Sequence, residues 1–185
     1  MEPIDQFNQS EVISARPTGI RYGLILGLIS SVLSAVMMMT NMVDFSGTKS
    51  NWLSNVISWG VSIFIFYKAI ETYKEELGGF ITLGKCISVS FWTGLISGAI
   101  SAAFLFVYFK FIDVSFLEKT LDLMRANMEE KGMSSSEIDS AISITSWLIS
   151  PGFMSFAGLL GGIFMGVLVG LILGLIMKKD PPSFA

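Results

Sequence analysis

Four long apolar stretches constrain this chain more than any other feature. They occupy residues 22–43, 52–70, 86–109 and 153–177, and Lys68, near the end of the second, is the one charged side chain in them. A helix needs about 20 apolar residues to cross a hydrocarbon layer of ~30 Å. Within lipid each backbone N–H and C=O must be satisfied inside the segment, so a helix is the form each stretch takes. The stretches hold 90 of the 185 residues. Charged residues are only 15% of the chain, against roughly 25% in a soluble domain, and mean hydropathy is +0.66. The expected fold is all-α: a polytopic membrane protein with four transmembrane helices.

What the chain lacks narrows its chemistry. It has no histidine, the usual general base and metal ligand at neutral pH. Its one cysteine, Cys86, can form neither an intrachain disulfide nor a multi-cysteine metal site. A net charge of −3 argues against a nucleic-acid surface. The expectation is therefore no enzyme, no cofactor, no metal and no nucleic-acid partner.

Residues 1–18 are polar and mildly acidic and read as a mobile tail; residues 19–180 form the transmembrane domain and 181–185 a C-terminal tail. The acidic start and long first apolar run argue against a cleaved signal peptide. Orientation follows from the loops. Arg16, Arg21, Lys68, Lys74, Lys85, Lys178 and Lys179 fall on one side; Lys49, Lys110, Lys119, Arg125 and Lys131 fall on the other. Basic residues beside span ends stay in the cytoplasm, so both termini are expected there. Trp52, Tyr108 and Trp147 mark one headgroup level and Tyr22, Tyr67 and Tyr73 the other.

Small residues recur every fourth position. The last span has Gly158, Gly162, Gly166, Gly170 and Gly174. The first has Gly19, Gly23, Gly27, Ser31 and Ala35; the third has Ser90, Gly94, Gly98 and Ala102; the second has Ser54, Ser58 and Ser62. No hydrophobic force presses helices together in lipid, so close van der Waals contact along such ridges must. Helix packing of the glycine-zipper kind is the expectation for Gly23, Gly27, Gly94, Gly98 and the last-span ladder; a glycine-lined path is the alternative. The match of residues 27–35 to 94–102 reads as convergence on packing rather than duplication.

Two connections carry further signals. The link after span two, Tyr73-Lys-Glu-Glu-Leu-Gly-Gly-Phe-Ile-Thr-Leu-Gly-Lys85, predicts a helix through Tyr73 that stops at Gly78-Gly79; its charges are expected to solvate the bend. The longer link predicts a helical pair over residues 115–148. Capping boxes open its helices at Ser115/Glu118 and Ser134/Glu137, Gly132 ends the first, and Ser150-Pro151-Gly152 breaks the second. Leu117, Leu121, Met124 and Met128 form one apolar stripe, a candidate contact for a partner or lipid. The methionines read as packing rather than a soft-metal site.

The run Tyr22-Gly-Leu-Ile-Leu-Gly-Leu28, the Tyr73–Gly84 turn and Tyr108-Phe-Lys-Phe-Ile-Asp113 together resemble the domain of unknown function 4199 family. The Met128-Glu-Glu-Lys-Gly-Met133 segment and the glycine-rich last span ending Lys178-Lys179 extend the resemblance over residues 18–179. It implies a small four-span protein of the bacterial inner (cytoplasmic) membrane and brings no catalytic residues with it. The functional expectation is a non-enzymatic scaffold or modulator whose partners are the lipid bilayer and another membrane protein or a second copy. The alternative is a small transporter or channel for a neutral or lipid-like substrate, because the span centres lack the ionisable groups that mark proton paths. Asn41, Asp44, Lys110 and Asp113 are candidates for an outer polar cluster, and Cys86 for a buried, inert thiol.

Overall fold

A computed structural model describes residues 13–40, 42 and 52–180. Six α-helices account for nearly all of them: α1 Ala15–Met39, α2 Trp52–Glu76, α3 Leu83–Val107, α4 Phe116–Glu130, α5 Ser135–Leu148 and α6 Pro151–Met177. A five-residue π-helical turn, Tyr108–Ile112, extends α3. Helices α1, α2, α3 (with its π turn) and α6 are long and apolar enough to cross a membrane. At 25 residues, α1 rises about 37 Å. The architecture is thus four spans plus a helical hairpin, α4–α5, between the third and fourth.

The helix boundaries follow local chemistry. Gly78 and Gly79 take φ of +75° and +88°, the left-handed conformation that ends α2 and that side chains resist. Gly132 does the same for α4 at φ +74°. Pro151 occupies the first turn of α6 behind the Ser150 cap, where a missing N–H costs nothing. Of the two capping boxes, the one at α5 is present: the Ser134 N–H donates to the Glu137 carboxylate at 2.9 Å and its hydroxyl at 2.6 Å. These bonds hold the Glu137 carboxyl below its ordinary value. The other box is not formed, because the Ser115 hydroxyl donates instead to Asp113 at 3.2 Å.

The tail expected over residues 1–18 is shorter than its sequence suggests. Residues 1–12 lie outside those described, as do 181–185, but α1 begins at Ala15, with Ala15 and Thr18 buried. Pro17 is tolerated because first-turn N–H groups have no intrahelical acceptor. Helix α2 likewise runs past residue 70 to Glu76, and α1 ends at Met39 rather than Val43.

Helix α3 is the hub, packed between α1 and α6, with α2 touching each of them more lightly. Gly19, Gly23 and Gly27 meet successively later residues of α3 (Trp92, Thr93 with Ile96, Ile100), so α1 and α3 run parallel. Gly174, Gly170, Gly166 and Gly162 meet Cys86, Ser90, Gly94 and Gly98, so α3 and α6 run antiparallel. Two buried clusters fill the half of the bundle nearest the α2–α3 turn. One gathers Ala69, Ile70, Tyr73, Ile81, Cys86 and Val89; the other, deeper, gathers Leu26, Ile65, Phe66 and Val169.

That turn end is fastened by polar contacts. The Thr18 hydroxyl donates to Glu76 at 2.6 Å, Tyr22 and Thr72 share a bond of 2.7 Å, and Tyr73 donates to the Ile13 carbonyl at 2.8 Å. Lys74 donates to the Met177 carbonyl at 3.0 Å, meeting the negative end of α6. Ile81 and Lys179 exchange both backbone hydrogen bonds, at 3.0 and 2.9 Å. The link's charges therefore tie helices together rather than only solvating the bend. Tyr73 is buried and bonded, and Tyr22 is half-buried against Thr72, so of the three tyrosines expected at this level only Tyr67 is an exposed anchor.

Candidate functional site

The approach of the helices is closest where glycines alternate with carbonyls. A Cβ on Gly166 would lie 2.5 Å from the Ser90 carbonyl oxygen, and one on Gly162 would lie 2.7 Å from that of Gly94. A Cβ on Gly94 would overlap the Gly162 carbonyl; one on Gly98 would meet Leu159 O at 3.1 Å. A Cβ on Gly170 would lie 2.7 Å from Ser90 Cβ, and one on Gly174 would lie 2.9 Å from Cys86 Cβ. On the opposite face of α3, a Cβ on Gly23 would lie 2.7 Å from Ile96 Cβ and one on Gly27 2.8 Å from Ile100 Cβ. Real Cβ atoms essentially never sit closer than 3.0 Å to another heavy atom, so at the present helix spacing all of these positions but Gly98 resist a side chain, and Gly98 is tight.

Gly158 breaks the series. Its nearest neighbour would be a Leu105 methyl, 4.0 Å away. The ladder continues in sequence, but α3 and α6 have splayed apart by this point. Helix α2 also loosens toward the same end: five of its six buried residues lie from Ile65 onward, and only Ser54 is buried before them.

The splay opens a cavity of about 230 Å³ among all four spans. Leu26, Phe66 and Met165 form its floor, on the side of the deeper buried cluster. Its walls carry five hydroxyls, from Ser30 of α1, Ser58 and Ser62 of α2, and Ser97 and Ser101 of α3, with Gly158 and Gly162 backbone on the fourth side. Trp59 and Gly161 line it too and are exposed on the bundle surface, which places its mouth between α2 and α6. No lining side chain is ionisable.

The hairpin stands apart from this bundle. Helix α4 packs chiefly on α5, and α5 meets α6 only where the chain joins them. Arg125 and Asp139 bridge the pair at 3.2 Å. Leu117, Leu121, Met124 and Met128 are all half-buried, so the stripe expected to be open to a partner is partly covered. The exposed apolar side chains are others: Leu123, Ile144, Trp147 and Leu148.

A family model covers residues 21–179. The chain belongs to that family, described as Protein of unknown function (DUF4199). No curated protein and no solved structure matches it.

The remaining candidates fall in separate places in this DUF4199 chain. Asp113 lies 3.8 Å from Lys119 and accepts from Ser115, while Lys110 sits 5.1 Å above the Phe106 ring. The two do not pair; Asn41 and Asp44, their proposed companions, lie outside the described residues. Cys86 is fully buried against Gly174, as a structural thiol is. Among the described residues no group of histidine, cysteine or carboxylate side chains is placed to hold a metal. Sequence reasoning noted Ser58 and Ser62 in the α2 ladder but singled out neither Ser30, Ser97 nor Ser101, and not that the five converge. The missing signal was the splay at Gly158, where the ladder's spacing continues but the close helix contact does not.

Proposed function

We propose that this protein is a non-enzymatic scaffold or modulator that binds a lipid or a membrane partner through its helical hairpin. The observation that carries this reading is the hairpin's separation from the bundle together with the exposed Ile144, Trp147 and Leu148. Trp147, with its ring 4.4 Å from Phe153 at the start of the last span, suits the headgroup level. The cavity chemistry agrees, since hydroxyls alone offer no acid–base group at neutral pH. The same cavity favours a second reading, a small transporter for a neutral substrate. We further propose the bacterial inner membrane as the location, with both termini cytoplasmic and the hairpin outside, on the basic-residue asymmetry.

Site-specific photocrosslinking in intact membranes tests the first reading. A benzophenone side chain at Ile144 should capture a lipid or a discrete protein, while one at Glu129, on a polar face, should capture neither. Equal yields at both positions would refute a hairpin contact. For orientation, Cys86→Ser is combined in turn with Ser135→Cys and Asp180→Cys. An impermeant reagent should label the first in intact cells and leave the second unlabelled; the reverse pattern inverts the topology.

A further inference from the structure

We infer that the cavity among the four spans is a binding site for an uncharged polyol group. It is distinct from the hairpin surface, and either can fail without the other. Its size sets the scale: about 230 Å³ lies below the ~300–1,000 Å³ typical of pockets for drug-sized ligands, so a group with few heavy atoms fits. Its lining sets the chemistry. A charged ligand would lose its hydration against walls that carry no counter-charge, whereas a hydroxyl both donates and accepts and so answers any serine.

The serines are not equally spent. Ser62 donates to the Ser58 carbonyl at 2.8 Å and Ser97 to that of Gly94 at 3.2 Å, while Ser58 reaches only the Met37 sulfur at 4.0 Å. Ser30 and Ser101 have no hydrogen-bond partner among the described residues. Half-buried hydroxyls at membrane depth are costly to leave unpaired. These two, on α1 and α3, flank the cavity and are placed to grip one ligand between them. The floor of Leu26, Phe66 and Met165 closes the site toward the fastened end of the bundle. The mouth, between Trp59 and Gly161, opens sideways where α2 and α6 are thinly packed. A polyol reaches it as a free solute, or as the glycerol head of a neutral lipid that slides in laterally with its chain left in the hydrocarbon.

The test uses the full chain in phosphatidylcholine nanodiscs with two radiolabelled probes, glycerol and 1-monooleoylglycerol. Saturable binding of glycerol identifies the free solute as the source; saturation by monooleoylglycerol alone identifies the lipid. In either case Ser30→Ala with Ser101→Ala should weaken binding by about fivefold or more, the loss expected for two ordinary hydrogen bonds. Gly158→Leu, which places a side chain on the cavity wall, should abolish it. Gly60→Leu, on the part of α2 where a side chain meets nothing within 4 Å, should leave it unchanged, and glycerol 3-phosphate should not compete. Thermal midpoints in detergent identify any variant that has merely unfolded, and the serine pair carries the test if Gly158→Leu does. Absence of saturation with both probes, or saturation untouched in the serine variant, overturns the inference.

Discussion

At the scale of single residues, the surroundings of a ladder glycine decide what it does. Gly94 and Gly158 both lie on the small ridges of their helices, yet an added methyl overlaps a backbone carbonyl at the first and meets only a distant methyl at the second. Gly94→Ala should therefore destabilise the bundle by about 1–3 kcal/mol, the usual range for over-packing, and lower its thermal aggregation midpoint in detergent. Gly158→Ala should leave that midpoint within error; equal losses would show that α3 and α6 stay in contact along their whole length. Tyr73→Phe removes the bond to the Ile13 carbonyl from a buried site and should cost about 1 kcal/mol. The spacing of four was legible in the sequence, and Gly162 to Gly174 lie against α3. Where the contact ends was not legible, because the spacing of four runs on unchanged through Gly158.

Individual elements show how far local signals carry. Gly78-Gly79, Gly132 and Pro151 end or begin helices where the sequence places them, since backbone conformation at those residues is set by the residue itself. Ser115 is different: its hydroxyl has two acceptable partners nearby, and Asp113, two residues back, takes it. The five-residue π turn after α3 left no trace in the apolar pattern, which reads the same in α and π geometry. The hairpin stripe was legible as a stripe, but the period of a helix cannot say whether its apolar face meets lipid or a sister helix. Leu121→Ser with Met124→Ser should consequently loosen α4 against α5, seen as faster amide exchange in both, rather than remove an external contact alone. The Glu137 cap adds a pH dependence. Its carboxyl is held low by Ser134, so the stabilisation it gives α5 is complete above the ordinary value of 4.5 and fades as pH falls through the lowered one. Exchange at the first turn of α5 should accelerate below that point, and Glu137→Gln should flatten the response; a flat profile in the unaltered protein would show that the cap does not form.

Across the whole molecule, one end is fastened and the other is open. Spin labels at Glu75 and Lys178, exposed positions at the fastened end, should give a narrow distance distribution, whereas labels at Val56 and Leu160 should give a broad one. Equal widths would mean that α2 is held as firmly beside the cavity as beside the turn. The asymmetry has a further consequence for how the chain is made. Lys179, which closes the bundle on Ile81, leaves the ribosome after all four spans have been synthesised. Until then α3 has α1 on one face and uncovered backbone at Ser90, Gly94 and Gly98 on the other, a furrow shaped for one glycine-ridged helix. Nothing in that furrow distinguishes the chain's own last helix from the same helix of a sibling emerging nearby. Exchange of α6 between neighbouring copies, a domain swap across the bilayer, is the misassembly this architecture invites, and the covalent tether through the α4–α5 hairpin is what keeps the correct helix closest.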